Sequence, residues 1–404
     1  MKPFATVNRL QTTFPICSMT QPTLSPATYV SRVDQLHRVI AELQHEPLLA
    51  FDTESNSLHA YRERVCLIQV SSRNADYIID PLAIADMGPL KTLLADPQIE
   101  KVFHAAEYDL MCLQRDFGIR ISNLFDTMVA ARICGYKQVG LNNLLSQHLD
   151  IQLDKSHQRD DWGERPLPKD SLRYAQMDTH YLPQLRDLLH TELQANGHLE
   201  EAAETFAEIC LNTPAHDGRS FDPDGFWKIG IPNQLRGEEM SVLRELYLLR
   251  EALAEKRDTP PFKIFSNKTL VELARAMPAT SSDMVGINGM SPAQIRRYNR
   301  QITDAIERGR RATLPPAPLY RPPPQDVTDR YMALHAWRKE KAMARGVESD
   351  VIISKQALWD LADRMPTTLD ALEAVSGIGP WRLETYGQEL LEVMQRLSRL
   401  NGKH

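Results

Sequence analysis

Hydrophobic and polar residues in the first part of the chain follow two different spacings. From about residue 29 to residue 43, apolar side chains recur every three or four positions, which predicts a helix. Three runs rich in β-branched and apolar residues come next and predict strands at 48–54, 65–70 and 76–80. Because these runs follow one another closely, we expect an antiparallel meander.

Farther along the chain, strand and helix patterns alternate. Residues 101–104 predict a strand, and the amphipathic segment 106–117 predicts the helix after it. Four more helices are expected, at 89–94, 127–134, 141–149 and, after a polar stretch with little regular pattern, from about 170 to 193. The alternation predicts one mixed α/β domain over residues 29–211.

The second half of the chain contains an internal repeat with an offset of 88 residues. Like residues separated by this offset include Arg250 and Arg338, Gly289 and Gly377, and Tyr298 and Tyr386. Each copy has the pattern of several short helices and a turn, so we expect two small all-α domains at 236–312 and 326–404.

Three segments lie outside these predicted domains. Residues 212–235 are dense in Pro, Gly and Asp and predict a linker. Residues 313–325 contain six prolines, which favour extended and semi-rigid spacing. Residues 1–28 lack the continuous apolar core of a signal peptide and are expected to form a loose extension.

Composition narrows the class of protein. The 404 residues are 42% hydrophobic and 25% charged, with a net charge of −6, as in a soluble globular protein. No apolar run approaches the roughly 20 residues that span a bilayer, so no membrane segment is expected. Five widely spaced cysteines without a C-x-x-C pair argue against disulfides or zinc and favour a reduced, cytoplasmic compartment. No G-x-x-x-x-G-K-[ST] loop is present, so no nucleotide cofactor is expected.

The first candidate for chemistry is a pair of carboxylates at the end of a predicted strand. Asp52 and Glu54 are separated by one residue, and side chains at positions i and i+2 of a strand leave the same face. Two carboxylates held this close repel each other unless a cation lies between them, and a divalent ion is the usual solution. An acidic strand end that faces solvent is the alternative.

Two more carboxylates and a tyrosine lie in suitable contexts. Asp109 lies in the first turn of a predicted helix, although acidic residues are common there because they suit the helix dipole. Tyr174 and Asp178 share one helix face, where a core position for Tyr174 is the alternative. Four carboxylates can hold two divalent ions for phosphodiester cleavage, and a phenol hydroxyl can orient the attacking water.

Three motifs in this order resemble those of a known family. The segments 51–55, 104–110 and 174–178 are similar to the three exonuclease motifs of the DEDDy class, and residues 153–167 resemble the ribonuclease D family. The two repeats resemble the HRDC domain, a helical nucleic-acid-binding module. The resemblance implies a ribonuclease H-like α/β exonuclease domain, with a mixed sheet flanked by helices, followed by two small all-α HRDC domains.

The resemblance also implies roles for individual residues. Asp52, Glu54, Asp109 and Asp178 would be metal ligands, and Tyr174 would position the nucleophilic water. Two divalent ions, Mg²⁺ or Mn²⁺, are implied because the ligands are all oxygen atoms. The implied activity is hydrolysis of RNA from the 3′ end with release of nucleoside 5′-monophosphates, in the 3′ maturation of tRNA precursors and other small structured RNAs. We expect a monomer.

Several further residues are candidates for contacts with RNA. His104 follows a strand beside the acidic residues, with a packed histidine as the alternative. Lys155, Arg159 and Arg165 lie in the irregular stretch before Tyr174, where phosphate contacts and solvated loop charges are both open.

The first repeat carries a positive surplus that the second lacks. Residues 236–311 contain 14 Lys and Arg against 10 Asp and Glu, whereas residues 326–404 contain 11 against 12. Arg296, Arg297 and Arg300 cluster in the first copy, where we expect contacts with the RNA backbone, a solvated helix face being the alternative. The second copy is expected to brace the assembly or to contact RNA by shape.

Two other functions stay open at this level. The acidic motifs do not separate RNA from DNA, because recognition of the 2′-hydroxyl comes from groups that the sequence does not locate. A DNA 3′–5′ exonuclease is therefore the first alternative. A non-catalytic nucleic-acid-binding scaffold is the second, and the intact carboxylates and tyrosine argue against it.

Overall fold

The structure, a computed structural model, describes residues 24–213, 221–318 and 322–401. Most of the predicted extension at 1–28 and parts of the two predicted linkers lie outside the described residues. Within them, an α/β domain is followed by two helical domains, and the predicted fold class is confirmed. None of the helices in the described ranges is both long and apolar enough to cross a membrane.

A mixed sheet of six strands forms the centre of the α/β domain in the described part of the chain. The strands are β1 (Thr28–Val30), β2 (Leu48–Ser55), β3 (Val65–Ser71), β4 (Asp76–Ile79), β5 (Glu100–Phe103) and β6 (Leu124–Asp126). Their order across the sheet is β1-β4-β3-β2-β5-β6, and β2, β3 and β4 form the predicted antiparallel meander. Strand β5 pairs with residues 48–50 of β2 only, so the end of β2 extends beyond it.

Helices flank this sheet. They are α1 (Val33–Leu43), α2 (Gly88–Ala95), α3 (Glu107–Phe117), α4 (Thr127–Ile133), α5 (Leu141–Leu149), α6 (Lys169–His180), α7 (Leu182–Ala195) and α8 (Leu199–Asn212). The helix predicted from residue 29 begins later, because Tyr29 and Val30 pair in β1 with β4. The long helix predicted from 170 to 193 is two helices that meet at Tyr181, where Pro183 in the first turn of α7 has no N–H to donate.

Two helical domains follow. The first contains α9 (Phe226–Gly230), α10 (Glu238–Lys256), α11 (Pro261–Ile264), α12 (Asn267–Ala276) and α13 (Pro292–Arg311). The second contains α14 (Gln325–Arg345), α15 (Ser349–Ile352), α16 (Lys355–Arg364), α17 (Leu369–Glu373) and α18 (Pro380–Asn401). Helix α9 lies within the predicted linker 212–235, and its Phe226 and Trp227 are buried in the core of the first helical domain. The limits drawn for the domains otherwise stay predictions.

The internal repeat extends to single hydrogen bonds. Helices α11 and α12 are displaced by 88 residues from α15 and α16, as is the start of α13 from that of α18. Arg250 donates to the carbonyl of Phe265 at 3.2 Å, and at the same offset Arg338 donates to the carbonyl of Ile353 at 3.0 Å. The two domains are therefore copies of one structural unit.

The copies attach to the α/β domain in different ways. The second helical domain shares one continuous hydrophobic core with the α/β domain, whereas the first has a core of its own. Contacts of the first domain include three with the segment after β2. Tyr61 donates through its hydroxyl to Glu251 and through its backbone N–H to Asp258, and Arg62 pairs with Glu255.

Candidate active site

Three carboxylates converge where β2 extends beyond β5. One oxygen of each of Asp52, Glu54 and Asp178 lies within 4.8 Å of the others. Asp52 and Glu54 come from β2, and Asp178 comes from α6, which packs against β2 and β3. A buried hydroxyl pair, Ser71 Oγ and Thr179 Oγ1 at 2.7 Å, holds the end of α6 on the sheet. The strand geometry predicted for Asp52 and Glu54 is what brings them together.

The fourth carboxylate, Asp109, faces the backbone of Thr53, which lies between Asp52 and Glu54. It lies in the first turn of α3, and its Oδ1 accepts hydrogen bonds from the Thr53 hydroxyl and, at 3.1 Å, from the Thr53 backbone N–H. Asp109 is buried but is not part of the cluster of three oxygens. One end of α3 is thereby attached to the acidic end of β2.

All four carboxylates line one cavity of about 430 Å³. Thr53, His104, Tyr108 and Tyr174 also line it. The rest of the lining comes from the start of α5 and from the irregular segment before α6, at Gly140, Leu141, Asn142, Asn143, Leu153, Asp154, Lys155 and Gln158. The site is thus a pocket with an acidic floor.

The electrostatics of the pocket favour a cation. Burial, followed by the charges of neighbouring carboxylates, raises the pKa values of Asp52 and Glu54 well above their usual range. Burial raises the pKa of Asp109 to about 7 against the opposing hydrogen bonds from Thr53. It also raises the pKa of Asp178 to about 7 against the hydrogen bond from Tyr174. Four oxygen ligands that repel one another fit a hard divalent ion.

Tyr174 is held beside the acids as a neutral phenol. Its ring lies 6.1 Å from that of the buried Trp162 and 6.3 Å from that of His157, measured between centroids. Burial and then the charges of Asp178, Glu54 and Asp52 raise the pKa of Tyr174, so the hydroxyl keeps its proton. The group can therefore donate a hydrogen bond within the pocket.

His104 is a packed histidine that also lines the pocket, and its contact with RNA stays a prediction. It lines the pocket, and its Nδ1 lies 2.9 Å from Thr127 Oγ1. Because Thr127 donates its own proton to the carbonyl of Phe103 at 3.0 Å, Nδ1 is the donor to Thr127. Burial lowers the pKa of His104 to about 4, so the ring is neutral and Nε2 is an acceptor.

The predicted basic contacts are found in different places. Lys155 lines the pocket, whereas the exposed Arg159 does not. Arg296, Arg297 and Arg300 are exposed on α13 of the first helical domain, and their contact with RNA stays a prediction.

Arg165 is a correction to the sequence-based expectation. All five N–H donors of its guanidinium are used, two on the buried carboxylate of Asp80 and three on the carbonyls of Cys66, Trp162 and Glu164. No donor remains for a phosphate, and Arg165 does not line the pocket. Its task is to attach the irregular segment to the sheet.

Sequence reasoning missed part of the pocket wall. Thr53 lies inside the first motif but has no ionisable group, so its residue type did not predict the hydrogen bonds to Asp109. Asn142, Asn143 and Gln158 are neutral residues that only the fold brings opposite the acids.

Comparison with known proteins agrees with this architecture. The 3′–5′ exonuclease family matches residues 27–194, and the HRDC domain family matches residues 239–306 and 327–394. Ribonuclease D of Pseudomonas paraeruginosa is 31% identical over 363 residues, which cover 88% of this chain and 94% of that protein. Ribonuclease D of Gluconacetobacter diazotrophicus is 33% identical over 65% of this chain and 66% of its own length.

A solved structure also resembles most of the chain. The crystal structure of Escherichia coli RNase D, an exoribonuclease involved in structured RNA processing, superposes with a TM-score of 0.65 at 25% identity. The match covers 92% of this chain and 99% of that one.

The mixed sheet with its acidic pocket, followed by two HRDC domains, identifies the class of protein as a multidomain 3′–5′ exonuclease. Within that class, the chain belongs to the ribonuclease D family and is an exoribonuclease. The family resemblance drawn from the three motifs is confirmed.

Proposed function

We propose that this chain removes nucleotides one at a time from the 3′ end of RNA, with two divalent ions, and releases nucleoside 5′-monophosphates. The observation that carries the proposal is the convergence of Asp52, Glu54 and Asp178 within 4.8 Å in a pocket that Tyr174 also lines. An in-line attack on a phosphodiester needs a positive charge beside the phosphate and an oriented water, and these residue types can supply both requirements.

The donor set fits a divalent metal. Asp52, Glu54 and Asp178 would hold one ion, and Asp109, which lines the same pocket, would serve a second. Bound divalent ions stabilise charge on the phosphate and lower the pKa of the attacking water. Oxygen ligands without a thiolate favour Mg²⁺ or Mn²⁺ over zinc.

The chain's own groups would do the rest. The neutral hydroxyl of Tyr174 would orient the water by a hydrogen bond. Lys155, on the pocket wall, would bind a backbone phosphate, and His104 would accept a hydrogen bond from a ribose hydroxyl through Nε2. Thr53 would keep Asp109 turned toward the acidic end of β2.

RNA is favoured over DNA because two relatives, which match 88% and 65% of this chain, carry the name ribonuclease D. We assign to this chain the 3′ maturation of tRNA precursors and other small structured RNAs, in the cytoplasm and as a monomer. The E. coli protein is described as acting in structured RNA processing, which supports this class of substrate.

The test is digestion of a 3′-extended tRNA and of a single-stranded DNA of matched sequence, each with Mg²⁺, with Mn²⁺ and with chelator. Metal-dependent shortening of the RNA from its 3′ end, with 5′-monophosphates as products, is the expected result. Equal or faster attack on the DNA would favour the DNA exonuclease alternative. Asp178→Asn should bind RNA normally and cleave none, whereas a wild-type chain that binds without cleaving would favour the scaffold alternative.

A further inference from the structure

One corner of the second helical domain binds an anion from the α/β domain. Arg345, at the end of α14, donates from Nη1 and Nη2 to the two carboxylate oxygens of Glu201 at 2.7 and 2.8 Å. Its Nη1 also lies 3.2 Å from the hydroxyl of Tyr386. Glu201 belongs to α8 and is fully buried. We call this pair of an arginine and a tyrosine a fork, because two nitrogens of its guanidinium bind both oxygens of one anion.

The first helical domain contains the same pair without the anion. Arg257 and Tyr298 lie 88 residues before Arg345 and Tyr386, and the guanidinium of Arg257 donates to the hydroxyl of Tyr298. Tyr298 is buried, so it fixes the arginine against the domain, while Arg257 itself is exposed. Within residues 24–213, 221–318 and 322–401, no carboxylate forms an ion pair with Arg257.

Three positions near the tyrosines of the two forks differ in charge. Arg296, Arg297 and Arg300 of α13 correspond at the same offset to Glu384, Thr385 and Gln388 of α18. A fork beside neutral and acidic residues suits one carboxylate of the same chain. A fork whose tyrosine lies among exposed arginines on α13 suits a polyanion, and a guanidinium binds two phosphate oxygens as well as it binds two carboxylate oxygens.

The residues on either side of Arg257 contact the α/β domain. Glu255, two residues before it, pairs with Arg62 at 3.4 Å, and Asp258, directly after it, accepts the backbone N–H of Tyr61 at 3.1 Å. The segment that carries Tyr61 and Arg62 continues from β2, the strand of Asp52 and Glu54. Arg257 therefore lies where the first helical domain meets the α/β domain.

From these observations we infer that Arg257, held by Tyr298, is a binding site for a backbone phosphate of the RNA upstream of the 3′ end being cleaved. The inference rests on the proposed function, since it takes RNA as the substrate. The inference gives the two copies of the repeat different roles, because the fork of the second copy binds Glu201 and the fork of the first binds the substrate.

The test measures RNA affinity over a range of salt concentrations in full-length chains that carry Asp178→Asn to prevent cleavage. Adding Arg257→Gln should weaken the binding of a 3′-extended tRNA roughly tenfold and make the slope of log affinity against log salt shallower by about 0.7. Tyr298→Phe, which keeps the ring, should weaken binding in the same direction by less. Arg257→Lys should retain the salt slope and lose part of the affinity, because the charge stays and the fork is lost.

Lys268→Gln is the matched control, since it removes one exposed charge from the same domain. Unchanged affinity and salt slope in Arg257→Gln, or an equal loss in Lys268→Gln, would overturn the inference. If Arg257→Gln changed the self-association of the chain but not its RNA binding, the inference would also be overturned. That result would indicate that Arg257 binds a protein carboxylate. If the wild type cleaves no RNA, the proposed function itself has failed.

Discussion

Thr53 binds Asp109 with both of its donors, the backbone N–H and the hydroxyl, and both hydrogen bonds end on the same carboxylate oxygen. Thr53 lies between Asp52 and Glu54 on β2, whereas Asp109 belongs to α3. One oxygen of Asp109 is therefore occupied by the strand that carries two of the other acids, and the second oxygen is left for a cation.

Removing the Thr53 hydroxyl should weaken the metal site. In Thr53→Val the shape of the side chain is kept, and a hydrogen bond to a charged group, worth roughly 1.5–3 kcal/mol, is lost. We expect the concentration of Mg²⁺ for half-maximal activity to rise about tenfold. Thr53→Ser keeps the hydroxyl and should behave as wild type. The same metal dependence in all three proteins would contradict this account.

The stability of the metal-free protein should fall as the pH rises. Burial raises the pKa values of Asp109 and Asp178 to about 7 in the folded chain, from a usual value of 3.8. The folded state therefore holds protons that the unfolded state has released, so this contribution is present at low pH and is lost as the pH rises through about 7. Divalent ions bind the ionised form, so the increase in Tm caused by Mg²⁺ or Mn²⁺ should be larger at about pH 8 than at about pH 6.

Asp178→Asn supplies the control for this prediction. The variant removes one of the charges that raise the pKa values of Asp52 and Glu54. Without metal it should melt at a higher temperature than wild type at about pH 8, and Mg²⁺ should raise its Tm by less. Thermal denaturation with chelator and with metal measures both effects, and a variant less stable than wild type under chelator would argue against mutual repulsion of the acids.

Tyr174→Phe should separate catalysis from binding. The ring contacts with Trp162 and His157 stay, but the hydroxyl that would orient the water is lost. We expect kcat to fall by about 10²-fold or more, as for the loss of a positioned proton-transfer group. RNA affinity should be unchanged, and a loss of affinity would indicate a role in binding instead.

Arg165→Gln should act on stability rather than on RNA binding. The substitution leaves the buried carboxylate of Asp80 without its bidentate partner, which costs roughly 3 kcal/mol in the free energy of unfolding. Arg159→Gln, six residues away in the same segment and exposed, should unfold as wild type does. Chemical denaturation compares the two. If both variants were equally stable and Arg165→Gln bound RNA more weakly, the result would support the predicted contact of Arg165 with a phosphate.

The acidic end of β2 could be predicted from the sequence because it depends on local geometry. Positions i and i+2 of a strand share a face whatever the rest of the fold does, and the same holds for Tyr174 and Asp178 on one helix. The repeat was visible for a similar reason, since like residues recur at a constant offset. These are short-range regularities.

What the sequence did not reveal depends on contacts between distant segments. Arg165 and Asp80 are far apart in the chain, so an arginine in a polar loop looked solvated or phosphate-bound until the fold placed it on a buried acid. Tyr29 and Val30 match helical spacing, yet pairing with β4 makes them a strand. The docking of the second helical domain through Arg345 and Glu201 left no pattern in either segment.

The α/β domain shares its core with the domain that comes last in the chain, not with the one that follows it directly. The hydrophobic core of the α/β domain is completed by α14 to α18, and the intervening first helical domain closes on a separate core. During synthesis the α/β domain would therefore leave the ribosome with the surface of α8 uncovered, including the ionisable Glu201, until the last helices are made. A ribosome that stalls in the second helical domain would release a chain whose exposed apolar surface marks it for chaperones and proteases, although every residue of the nuclease pocket has been translated.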